Sequence, residues 1–98
     1  MQQRQGDLCF LKVDTLPAGL KKDPTGVIVH SDATQHTHKL TGGTLYKQKD
    51  GIGQYMVIAK TGKVSHEDHR TNIFTKGIYE IRRQREYQSK DMTRLVVD

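Results

Sequence analysis

Apolar residues come in short runs broken by Gly, Pro, Asp and Thr, and no segment sustains a 3.6-residue period. That pattern argues for strands and against a helical bundle. Residues 7–13 (DLCFLKV) are apolar on both faces and bounded by Gly6 and Asp14, as a buried strand is. Leu16-Pro17-Ala18-Gly19 predicts a turn, and residues 21–26 (KKDPTG) a polar loop. Val27-Ile28-Val29 is β-branched throughout and predicts a second strand, followed by a polar loop over 31–35. A strand over 36–40 is closed by Thr41-Gly42-Gly43. Residues 44–48 and 54–60 form a predicted hairpin around the Asp50-Gly51 turn signal. Thr61-Gly62 predicts a further tight turn, and Ser65 with the acidic residues behind it a single helical turn over 65–70. The longest predicted strand spans 77–87, and a last one spans 93–97. Together these give one all-β domain over residues 1–98, a small β-barrel or β-sandwich of about six to eight short antiparallel strands.

Composition narrows the picture. An apolar fraction of 34%, with two Phe and no Trp, provides a modest core, for which homo-oligomerisation or a bound metal is a natural supplement. Sixteen Lys and Arg against eleven Asp and Glu leave a charge of +5, which favours anionic partners such as nucleic acid or a nucleotide. Cys9, the sole cysteine, has no internal disulfide partner and sits in an apolar run, so it is expected to be a small buried hydrophobe. No apolar run approaches the ~18 residues of a membrane span, and the polar start lacks the apolar core of a signal peptide. The expected location is the cytoplasm.

The candidate chemistry is carried by histidine. Four of the five histidines fall in His36-Thr37-His38 and His66-Glu67-Asp68-His69. On a strand, His36 and His38 project from one face. On a helical turn, His66 and His69 are neighbours. Two such pairs supply four imidazole ligands, or three with Glu67 or Asp68, a donor set suited to Zn, Fe, Ni or Mn. The second cluster is not the His-Glu-x-x-His metalloprotease signature, because its second His comes one residue early. The alternative is a set of polar loop histidines bonded to backbone, or a metal-free proton-transfer pair. His30, at the end of an apolar strand, is expected to be structural.

A second candidate lies on the 77–87 strand, where Arg82, Arg83 and Arg85 beside Tyr87 can bind phosphate and stack a base. Alternation places Tyr79, Ile81, Arg83, Arg85 and Tyr87 on one face, with Arg82 on the other between Glu80 and Glu86. The competing expectation is a solvated edge in which these arginines pair with Glu80 and Glu86.

Four pieces carry a resemblance: Arg4-Gln5-Gly6-Asp7, the His36-Thr37-His38-Lys39-Leu40 run, His66-Glu67-Asp68-His69, and Gly77-Ile78-Tyr79-Glu80 leading into Arg83-Gln84-Arg85-Glu86-Tyr87. In this order they resemble small proteins of bacteria and their phages, over most of the chain. That resemblance implies one intact domain in a bacterial cytoplasm, or in a host cytoplasm if phage-encoded. The chain departs from it at Gln35, where those proteins tend to carry Gly. The His-x-His also partly resembles cupins, metal-holding β-barrels, but Gly42 and Gly43 stand where a cupin places its Glu.

The sequence therefore favours a binding module over an enzyme, with His36, His38, His66 and His69 lining a site for a metal ion or small anionic ligand. The alternatives are an interaction or inhibitory protein of phage type that binds nucleic acid, a nucleotide or a host protein through Arg82, Arg83 and Arg85, and a cupin-like metal-dependent enzyme.

Overall fold

A computed structural model describes residues 2–31, 36–49, 53–67 and 69–83, with the side chains of His30 and Ser31 outside that set. Eight strands follow one another: β1 (Gln2–Gln5), β2 (Leu8–Val13), β3 (Lys21–Asp23), β4 (Val27–Ser31), β5 (His36–Thr41), β6 (Thr44–Lys47), β7 (Gln54–Ser65) and β8 (Asn72–Arg83). All pairings are antiparallel and belong to one sheet of order β1-β2-β8-β7-β5-β4, with β6 joining β7 to β3. Among the described residues there is no helix, so none is long and apolar enough to cross a membrane.

The sheet curls because its ends must share one core. Leu8 and Phe10 come from β2 and Ile28 from β4, far apart along the strand order, yet both strands contribute to a single cluster with Leu40, Leu45, Met56, Ile58, Val64, Phe74, Tyr79 and Ile81. Both phenylalanines meet at its centre, with ring centroids 4.9 Å apart, and Phe74 packs edge-on to Tyr79 at 5.1 Å. Removing either ring would cost about 3–5 kcal/mol.

The frame of this curl is the long β7–β8 hairpin. The first half of β7 pairs with β6 and its last residues pair with β5. The second half of β8 pairs with β2. A register shift between Ile58 and Thr61 lets the hairpin bend between these two sets of neighbours.

The elements depart from the sequence expectation in five places. Thr61-Gly62 lies within β7 and makes no turn. Gly62 is there for space, since a Cβ would stand 2.5 Å from the Ile58 Cδ1. The strand predicted from Gly77 begins at Asn72; its inward set changes from Phe74 to the odd positions Tyr79 and Ile81, which hides the alternation. Lys21–Asp23, expected in a loop, forms the edge strand β3 through its ladder with Leu45, Tyr46 and Lys47. The polar start is strand β1, paired with β2 from Gln2 to Gln5. No helical turn forms over 65–70 among the described residues, because Ser65 still belongs to β7 and the chain beyond is irregular. The 44–57 hairpin is as expected in its strands, whereas its Asp50-Gly51 turn, the loop residues 32–35 and the 93–97 strand lie outside the described residues. Cys9 is buried and carries no disulfide.

Candidate functional site: a histidine cluster held by an amide network

Strand alternation projects His36 and His38 from one face of β5, and the β7–β8 connection carries His66 and His69 over them. The two sequence clusters meet. The His38 ring centroid lies 4.2 Å from that of His66 and 6.2 Å from that of His69. His66 lies 4.5 Å from His69 and 5.1 Å from His36. His38 is buried at 6% exposure, His36 and His66 are half-buried, and His69 is exposed.

What positions His38 was not singled out from the sequence. Gln5, at the end of β1, is 2% exposed, and its Nε2 donates to the carbonyls of Val64 at 2.7 Å and Arg70 at 3.0 Å. Carbonyls only accept, so the amide orientation is fixed and Oε1 faces the His38 Nδ1 at 2.8 Å. The Nδ1 must then carry the proton, which leaves the lone pair of the neutral ring on Nε2. The network continues outward. Asn72 Oδ1 accepts from Gln5 at 3.2 Å, and its Nδ2 donates to the Gln3 Oε1 and the Arg4 carbonyl at 2.9 and 3.0 Å. The Gln3 Nε2 donates to the Ile73 carbonyl at 3.0 Å.

Two further devices hold the loop over β5. The β5–β7 ladder stops at Lys39–Ser65. Beyond it, the Thr37 N–H donates to the Glu67 Oε1 at 2.9 Å, a side-chain bond that replaces the missing strand. This bond is the first cause of a lowered Glu67 pKa, so the carboxylate is ionised and engaged. On the other side, Gly6 turns at φ +62°, and a Cβ there would stand 2.9 Å from the His69 Nε2. His69 therefore rests on a backbone position that only glycine leaves open. Shallow grooves of about 440 Å³, beside Gly6, His69 and Asn72, and about 330 Å³, beside Thr37, His66 and Glu67, flank the cluster.

Electrostatically, the His38 pKa is pushed down to about 4. Burial is the main cause and the neighbouring His66 and His69 add to it, while the carboxylates of Asp7 and Glu67 oppose it. His38 is thus neutral at physiological pH. Among the described residues, no group of three or more His, Cys, Asp or Glu side chains stands in metal-holding geometry. The rings pack against one another, and Asp68 lies outside the described residues.

The arginine strand is divided by its own alternation. Arg82 faces outward, and its guanidinium pairs with the Glu80 carboxylate at 3.0 Å. Arg83 follows the buried Tyr79 and Ile81 on the inward face, opposite Leu8, and its Nε is buried. Arg85 and Tyr87 lie outside the described residues.

Fold and cluster together define a small all-β domain with a histidine-lined end. The chain belongs to the DUF8820 family, a domain of unknown function, whose model matches residues 4–84, from Arg4 in β1 to the residue after β8. No curated protein and no solved structure matches the chain.

Proposed function

We propose that the domain is a metal-binding module in which His38 Nε2, with His66, His69 and His36, takes a divalent transition-metal ion. The observation that carries this reading is the Gln5–His38 bond, which holds a buried imidazole neutral with its Nδ1 protonated. That is the arrangement of a metal-ligating histidine, whose second ring nitrogen donates to a fixed carbonyl oxygen. The half-buried His66, beside His38, and the exposed His69, beside His66, are the neighbouring imidazoles that would supply the remaining nitrogens. Binding is favoured over catalysis because Glu67, the carboxylate next to His66, is engaged with the Thr37 amide.

The test is elemental analysis and zinc or nickel titration of untagged protein, beside His38→Ala and Gln5→Leu. Near-stoichiometric metal that is lost in His38→Ala, with about 10–100-fold weaker affinity in Gln5→Leu, is the expected result. Metal-free protein whose melting temperature does not respond to added zinc or nickel would sink the proposal.

A further inference from the structure

A different surface carries an independent inference. On the solvent face of the sheet, one cross-strand row runs Lys22, Tyr46, Tyr55, Glu80 across β3, β6, β7 and β8. Partners directly opposite on antiparallel strands project from the same face, so the two tyrosines stand side by side with a lysine next to them. Both tyrosines are half-buried and Lys22 is exposed. Around the outer edge of the same two strands, a groove of about 500 Å³ is lined by Lys21, Lys22, Lys47 and Lys49, with Asp23 and Pro24.

The charges in this groove are not balanced. Asp23, its one carboxylate, is taken by the Lys47 ammonium at 2.8 Å and by the Thr25 hydroxyl and amide. Lys21, Lys22 and Lys49 are exposed and have no ion-pair partner among the described residues. At the far end of the tyrosine row, Glu80 is matched by Arg82 at 3.0 Å. The net field over the β3–β6 edge is therefore positive; Lys22 shares the face of the two tyrosines, and Lys21 projects from the other face of the same edge strand.

We propose that this edge binds single-stranded nucleic acid, with bases stacking on Tyr46 and Tyr55 and phosphates held by Lys21, Lys22 and Lys49. Stacking needs bases whose faces are open, which single strands offer and duplexes do not, and every base has such a face, so the mode is tolerant of sequence. Lysines on an edge strand also discourage pairing with another chain, and that role alone makes no demand on the tyrosines. The tyrosines are accordingly where the two roles part.

The experiment is fluorescence anisotropy of the whole chain with a labelled oligothymidylate of about 12 nucleotides, spanning ordinary site sizes. Between about 50 and 200 mM salt, binding should weaken with a log–log slope near −2, about 0.7 for each of three phosphates. Tyr46→Leu/Tyr55→Leu should bind about tenfold more weakly at an unchanged slope, and Tyr46→Phe/Tyr55→Phe should bind as the parent does. Lys21→Gln/Lys22→Gln/Lys49→Gln should flatten the slope. His38→Ala should leave the affinity unchanged, which separates this surface from the histidine site. Absence of binding at the lower salt would overturn the proposal. So would an unaffected leucine variant, or polyphosphate competing equally against the parent and leucine proteins, either of which marks a plain polyanion surface.

Discussion

Two buried glutamines of the core are treated in opposite ways. At the histidine end, Gln5 is buried and both atoms of its amide are engaged, with two carbonyls, Asn72 and His38 as partners. On β7, Gln54 is also buried, at 7% exposure, but its Oε1 has no hydrogen-bond partner among the described residues. The same residue type at similar depth thus forms a fully connected node in one place and a loose end in the other. A buried polar network specifies geometry only when its members are satisfied. The contrast marks Gln5 as the point at which polar contacts specify the geometry around His38.

The contrast can be broken by substitution. The largest effect is expected from Gln5→Leu, which leaves the Val64 and Arg70 carbonyls and the His38 Nδ1 without their partner. Two of these orphans are buried, at about 1–3 kcal/mol each, so chemical denaturation should report a loss of roughly 2–6 kcal/mol. Gly6→Ala comes next. It forces a side chain into positive φ and against the His69 ring, at about 1–2 kcal/mol. The loss should appear in the melting temperature together with a shifted His69 ring signal in NMR.

Acid gives a third test, on metal-free protein. The folded His38 has a pKa of about 4 against 6.5 for the free side chain. Between those values the unfolded chain takes a proton that the folded chain refuses, so stability falls as pH falls from about 6.5 to about 4. A thermal melting series should show this slope, each 1 kcal/mol corresponding to roughly 4–8 °C, and His38→Gln should flatten it. The smallest effect is expected from Gln54→Leu, within about 1 kcal/mol of neutral, because an isosteric apolar side chain removes a polar atom that lacks a partner. A large loss there would erase the asymmetry between the two glutamines.

The sequence made much of the fold legible, and unevenly. The β2, β4, β5 and β6 strands were visible because β-branched or alternating residues lie between turn residues. The length of β7 and the start of β8 were not, because Thr61-Gly62 and Gly77 carry turn chemistry inside a bent hairpin that spacing alone cannot distinguish from a true turn. Of the site, all four ring-bearing residues were legible. Their supports were not, since an amide at Gln5 or Asn72 has no local pattern and acts across more than sixty residues of chain, as in the Gln5–Asn72 bond with its separation of 67. One signal was present. Arg4-Gln5-Gly6-Asp7 stands beside the histidine pairs in the resemblance, and the structure joins Gln5 to His38, Gly6 to His69 and the Arg4 carbonyl to Asn72.

The amide network also dictates when in folding the histidine end can exist. The β6–β7 and β7–β8 hairpins close by local contacts, whereas the Gln5 bonds to Val64 and Arg70 span 59 and 65 residues and the bond to His38 spans 33. Pairings of such high contact order form late, after the entropy of closing long loops has been met by the rest of the fold. A chain emerging from the ribosome carries β1 first and must keep it waiting until the start of β8 is made. The integrity of the histidine cluster is therefore a readout of completed folding, because Gln5 ties the first strand to the connection that leads into the last.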